Sequence, residues 1–243
     1  MKQILCILLS VLGWTTGMTQ NPYQIKGKVD CENKGIHGVV VSDGKNCVQT
    51  DEQGNYSLDI DNESQFVFIS TPAGYLTEVK ENTIPLFYEP IDRSSDKKYD
   101  FHLKKNPHDD LNHVFFAQAD VQAISSENLD TYHTFQNDYL EQLAAYPNTD
   151  IFGIDCGDIT GDNAQLFPPY IEAVKTLNIP IYRAIGNHDM DYNGRSFETS
   201  HHSFESYFGP TCYSFNKGKM HYIVINNNFY TISDTLTKRL FNG

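Results

Sequence analysis

The 243-residue chain has no surplus of positive charge: 18 Lys and Arg stand against 31 Asp and Glu, a net of −13. Such an acidic surface repels nucleic acid and anionic membrane, so non-specific binding to either is disfavoured. No apolar run is long enough to span a bilayer. The five cysteines include no Cys-x-x-Cys pair, so there is no zinc-site spacing. A Gly-rich dinucleotide loop is also missing, which argues against an oxidoreductase on an open α/β sheet. Ordered EF-hand spacing is absent, so Asp51, Asp59 and Asp61 read as solvated turn carboxylates. Wholesale disorder is excluded, because 40% of residues are hydrophobic and 13% aromatic.

What is present begins with a leader-like segment. In residues 1–19, Lys2 is the charged region, Ile4 to Leu12 the short apolar region, and small or polar residues follow from Thr15 to Thr19. This predicts a signal peptide cleaved near Gly17 or Thr19 and an exported protein, periplasmic or secreted. Four cysteines remain after cleavage, and export permits disulfides. Cys31–Cys47 is the favoured pairing because both lie in one small unit. Plain buried thiols are the equal alternative.

Residues 20–104 alternate between short apolar strands and Gly, Asp and Asn turns. Ile25 to Val29, Ile36 to Val41, Tyr56 to Ile60 and Phe66 to Ile69 read as strands. Such spacing indicates a small all-β sandwich. Residues 105–112, rich in charge, amide and Pro, read as a linker across which few contacts should run. From His113 the pattern changes. Val114 to Ala117 is an unbroken apolar run, as in a strand buried on both faces. Tyr132, Phe135, Tyr139, Leu140 and Leu143 recur at helical spacing, with Asp130 as the expected N-cap. Ile151 to Ile154 is a second strand. A second helix opens at Pro168 and Pro169, and Ile181 to Ile185 is a third strand. Alternating strands and helices indicate a parallel sheet with crossover helices. A hairpin follows, with arms Tyr213 to Phe215 and Met220 to Ile225. Leu236 to Gly243 reads as the start of a helix.

Each of the three parallel strands ends in a polar cluster. Asp120 and Gln122 follow the first, Cys156-Gly157-Asp158 the second, and Gly186-Asn187-His188-Asp189 the third. Asp120 and Asp158 are 38 residues apart, Asp158 and Asn187 29. Each interval is about one βαβ unit, so the donors return to one sheet edge, where open α/β sheets place their sites. Carboxylate and amide oxygens with an imidazole suit divalent ions such as Mn, Fe, Mg or Zn. Any one cluster alone is ordinary turn and cap chemistry.

The string Asp120-Val-Gln … Cys156-Gly-Asp-Ile-Thr-Gly-Asp … Ile185-Gly-Asn-His-Asp … Phe208-Gly-Pro-Thr-Cys-Tyr-Ser-Phe resembles the calcineurin-like metallophosphoesterases. The resemblance covers about residues 113–230. The preceding unit resembles carboxypeptidase-regulatory-like or prealbumin-like modules, in particular the one that precedes some bacterial members of that family. The resemblance implies a β-sandwich followed by an α/β phosphoesterase domain of the α/β/β/α sandwich type over residues 113–243. It also implies two divalent metal ions. Asp120 would bind the first ion, Asp158 would bridge both, and Asn187 would bind the second. His188 would act on the leaving group or steady the phosphoryl oxygens, with Asp189 as its partner. The two ions would hold a hydroxide for attack on a small phosphoester substrate. Net acidity does not exclude such a substrate, because bound cations dominate the local field.

The string departs from the family twice. Gln122 stands where the family usually has His, a neutral and weaker donor. The later Gly-His-x-His ligands are not found before Gly243, which predicts an incomplete C-terminal part and impaired activity. His201, His202 and His221 read as surface or packing histidines, and Cys156 as a buried small residue in a tight loop. The alternative is a non-catalytic exported protein: the sandwich would contact a glycan, a cell surface or a protein, and the second unit would be a degenerate phosphoesterase remnant.

Overall fold

The computed structural model describes residues 23–233 and 236–241. The expected signal segment, residues 1–19, lies outside them. Among the described residues no helix is long and apolar enough to cross a membrane.

The first unit is all strand. β1 (Tyr23–Cys31), β2 (Lys34–Gly35), β3 (Val40–Ser42), β4 (Cys47–Gln49), β5 (Asn55–Ile60) and β6 (Phe66–Ile69) come first. β7 (Tyr75–Leu76), β8 (Val79–Lys80), β9 (Ile84–Pro85), β10 (Tyr88–Pro90) and β11 (Phe101–Lys105) follow. One sheet runs β2-β1-β11-β7, with β5 also on β1; the other runs β10-β6-β3-β4. β5 shows the pattern that builds a sandwich: Tyr56, Leu58 and Ile60 point inward and the residues between them outward. Ile25, Val29 and Leu58 of one sheet meet Val41, Val67 and Ile69 of the other in one core. The expected strand at Ile36 forms only from Val40, because Gly38 turns the chain at φ 77°.

The second unit is a three-stranded parallel sheet in the order β12-β13-β14, formed by β12 (His113–Gln118), β13 (Asp150–Asp155) and β14 (Ile181–Arg183). α1 (Ser126–Leu143) and α2 (Phe167–Val174) make the two crossovers. α2 begins with Pro at its first turn, as its sequence predicts. α1 begins earlier than expected, with Ser125 rather than Asp130 in the N-cap position. Only Leu129, buried three residues before Tyr132, carries the apolar period back into an otherwise polar first turn. β12 is not buried on both faces. It pairs only with β13 among the described residues, and Phe115 stays 44% exposed.

α3 (His202–Phe208) leads into the hairpin of β15 (Tyr213–Lys217) and β16 (Met220–Val224), close to the expected arms. β17 (Asn228–Ser233) and β18 (Leu236–Phe241) form a second hairpin. The helix expected from Leu236 is therefore a strand. Cross-strand pairing with 228–233 overrides the local i, i+4 spacing of Leu236 and Leu240.

The expectation of few contacts across residues 105–112 does not hold. Tyr182 and Phe215 stack at 3.7 Å between ring centroids, and Phe152, Tyr182, Tyr213 and Phe215 share the sandwich's core. Asn216 N donates to Thr71 O, and Ile181 N donates to Thr83 O. The connecting segment is itself tied down, since Gly74 N donates to Asp110 Oδ2 at 2.6 Å. Cys31, Cys47, Cys156 and Cys212 are all free thiols, so the Cys31–Cys47 bridge does not form. Cys31 lies in the first sheet and Cys47 in the second.

Candidate functional site

The loops after β12, β13 and β14 meet because two glycines let them. A Cβ on Gly186 would lie 2.1 Å from Asp158 N, and one on Gly157 would lie 2.5 Å from Gly186 N. Only glycine fits at both places. The first loop is laced to the second by backbone bonds: Asp120 N to Gly157 O, Gln122 N to Asp158 O, and Ala123 N to Ile159 O. Asp120 (φ 55°), Gln122 (φ 41°), Asp158 (φ 52°) and Asp162 (φ 69°) all adopt the left-handed region. Strain of this kind persists only where the surroundings impose it.

The expected ligands come together around Asp158. Gln122 Nε2 lies 3.1 Å from Asp120 Oδ1 and 3.4 Å from Asp158 Oδ2. The Asn187 carboxamide lies 3.1 and 3.2 Å from the two Asp158 oxygens. With its nitrogen inward it donates to both. With its oxygen inward it adds a neutral donor to the carboxylate, the set a hard divalent cation takes. Asp158 Oδ1 also accepts from His188 N at 2.9 Å. Two carboxylates and the Asn187 carboxamide from three loops can offer oxygens to one cation, while Gln122 presents its Nε2 to both carboxylates. No group of three or more His, Cys, Asp or Glu able to hold a metal is found among the described residues. His201 pairs with Glu205 instead, and His221 Nδ1 contacts Asn216.

His188 and Asp189 part company. The His188 ring contacts Asp162, with Nδ1 to Oδ1 at 2.9 Å, and Tyr192 OH donates to Asp162 Oδ2 at 3.1 Å. A carboxylate on Nδ1 fixes the tautomer and leaves Nε2 for a substrate. Asp189 points the other way. It is buried and accepts from Thr160 N at 2.9 Å and Gly186 N at 2.9 Å, and burial pushes its pKa up to about 6. The expected Asp189–His188 pair is therefore replaced by Asp162–His188. The turn at Gly186 sends the Asp189 side chain into the protein, where it braces the loop.

Beneath the site lies a buried polar network that no sequence motif announces. Asp155, fully buried at the end of β13, accepts from Gln118 Nε2 at 2.8 Å, Tyr170 OH at 2.5 Å and Gly157 N at 3.2 Å. Burial raises its pKa despite these donors. Tyr132 OH donates to Gln118 Oε1 at 2.6 Å. Arg183 is also buried. It donates to Thr83 O at 3.2 Å, Thr83 Oγ1 at 2.8 Å and Ile181 O at 3.0 Å, so the sandwich reaches under the site. A charged residue in the middle of the apolar run Ile181 to Ile185 was the one available signal. Cys156, expected to be buried, is exposed. Partial desolvation by the surrounding loops and the Asp155 and Asp120 charges raise its pKa, so it is no activated nucleophile.

No curated protein and no solved structure matches the chain. Residues 23–106 match the family model described as N terminal of Calcineurin-like phosphoesterase, so the first unit is similar to the module that opens proteins of that family.

Proposed function

We propose that the chain hydrolyses small phosphoesters with a divalent cation at the Asp158 cluster. The observation that carries this reading is the convergence of Asp120, Gln122, Asp158 and Asn187 within hydrogen-bond distance at the ends of three parallel strands. The family match of the preceding unit supports it. Asp120, Asp158 and Asn187 would hold the cation, with Gln122 at its side. When bound, the cation would supply Lewis acidity toward a phosphoryl oxygen. His188, held by Asp162, would present Nε2 to the leaving-group oxygen and deliver a proton there. Gly157 and Gly186 keep the loops in contact, and Asp189 and Asp155 fix their backbones. With donors for one cation among the described residues, turnover is expected to be weak. Export to the periplasm or beyond belongs to the same proposal.

A second reading has its own observation. Asp158 is already satisfied by His188 N, Gln122 and Asn187, as in a remnant that has closed over its metal site. Titration of the whole chain with Mn, followed calorimetrically, separates the two readings. The proposal expects about one bound ion, lost in Asp158→Ala, and slow aryl phosphate hydrolysis lost with it. Absence of Mn binding in folded protein would establish the remnant.

A further inference from the structure

The rim of the Asp158 cluster carries two large apolar side chains that neither hydrophobic core takes up. Tyr192, in the loop after β14, is 52% exposed, and Ile124, in the loop after β12, is 71% exposed. One exposed apolar residue is ordinary on any surface. These two meet the same short stretch of the loop after β13. A Cβ on Gly161 would lie 2.5 Å from Ile124 Cγ2, so Ile124 lies across Gly161. The next residue, Asp162, contacts His188 Nδ1 through one carboxylate oxygen and accepts from Tyr192 OH through the other. Tyr192 and His188 therefore share one carboxylate, with Ile124 on the adjoining residue.

Tyr192 is held through its backbone as well. Its neighbour Asp191 is anchored three ways: its N donates to Ser200 O at 2.6 Å, its O accepts from Gly194 N at 3.0 Å, and its Oδ2 accepts from Ser203 N at 2.9 Å. A ring tethered at both ends has little freedom left to lose when a ligand covers it. The hydroxyl is engaged with Asp162, which leaves the ring as the surface a ligand can use. The Asp162 carboxylate opposes a further negative charge beside it.

We infer that the site takes phosphoesters whose leaving group carries an uncharged aromatic ring, which stacks on Tyr192 and touches Ile124. Stacked there, the ring brings its ester oxygen beside His188. The inference rests on the hydrolytic reading of the Asp158 cluster and adds a substrate class to it.

Two non-hydrolysable phosphonates provide the test, titrated calorimetrically into the full chain with Mn present: benzylphosphonate, the isostere of phenyl phosphate, and ethylphosphonate, that of methyl phosphate. Benzylphosphonate should bind at least about fivefold more tightly. Tyr192→Ala, at an exposed position without risk to folding, should bring that ratio below about twofold and leave ethylphosphonate unchanged. Tyr192→Phe keeps the ring and should keep the ratio. Ile124→Ser should lower it by about half. Equal affinity for the two phosphonates, or a ratio unchanged in Tyr192→Ala, would overturn the inference and leave the hydrolytic reading standing. No binding of either phosphonate to the folded protein would overturn the hydrolytic reading and this inference with it.

Discussion

The sandwich and the parallel-sheet unit both contain non-glycine residues in left-handed backbone, for different reasons. In the sandwich they come as adjacent pairs, Glu32-Asn33 between β1 and β2 and Glu81-Asn82 between β8 and β9. Tight turns between antiparallel strands need that conformation to match the strand twist. In the parallel unit Asp120, Gln122, Asp158 and Asp162 adopt it in the loops that follow β12 and β13. No hairpin asks for it there. The loops are instead bent until carboxylates and amides face one another, and the framework beneath imposes the bend. Polar groups divide the same way. The sandwich keeps most of its carboxylates in exposed turns, whereas the parallel unit buries Asp155, Arg183, Gln118 and Tyr170 under its loops.

The largest test of this contrast is Arg183→Met. The substitution removes two hydrogen bonds that join β14 to Thr83 and one to Ile181 O, and it should destabilise the protein by about 3–5 kcal/mol. Because the two units share a core, urea unfolding should stay a single transition by tyrosine fluorescence and far-UV dichroism alike. Two separated transitions would show that the sandwich stands alone.

Gly186→Ala comes next. Its new methyl would lie 2.1 Å from Asp158 N, so the loops must separate, at about 1–3 kcal/mol and with loss of Mn binding. Unchanged Mn affinity would mean that the loop contact does not shape the site.

Asp155→Asn isolates the buried carboxyl. Burial holds its pKa above the ordinary 3.8, so the folded state favours the protonated form. Its contribution is greatest in acid and is lost as pH rises from about 4. The stability of wild type minus that of Asp155→Asn should therefore fall as pH climbs from about 4 toward neutrality, measured by thermal melts across buffers. A difference that rose with pH would reverse the sign assigned to burial.

The smallest effect compares the two kinds of left-handed residue directly. Gln122→Gly should raise stability by about 0.5–1 kcal/mol while weakening Mn binding, because it relieves backbone strain at the site. Asn33→Gly should change stability by only a few tenths, since Asn already tolerates that conformation in a turn.

The sequence made legible whatever short stretches encode. The order of strands and crossover helices showed in apolar runs and breakers, and the three polar clusters showed in their spacing. Groups whose partners are remote in the chain stayed hidden. Arg183 finds Thr83 a hundred residues away, and Asp155 finds Gln118 and Tyr170 from two other elements. The partner of His188 was misread because adjacency suggested Asp189, while a loop one strand away delivers Asp162. The start of α1 shows in the sequence only through Leu129, three residues before Tyr132, and the pairing of β18, not its spacing, decides its strand form.

The bond from Ile181 N to Thr83 O has a consequence for solubility. β14 ends the parallel sheet, yet this bond places backbone of the sandwich against it, so β14 presents little template for another chain. The opposite border has no such guard among the described residues. β12 leaves its outer edge open beside Phe115, and β16 presents Met220 and Ile223 to solvent. Any self-association of this chain should therefore begin at the β12 and β16 side. A lysine placed at Ile223 would be the economical way to suppress it.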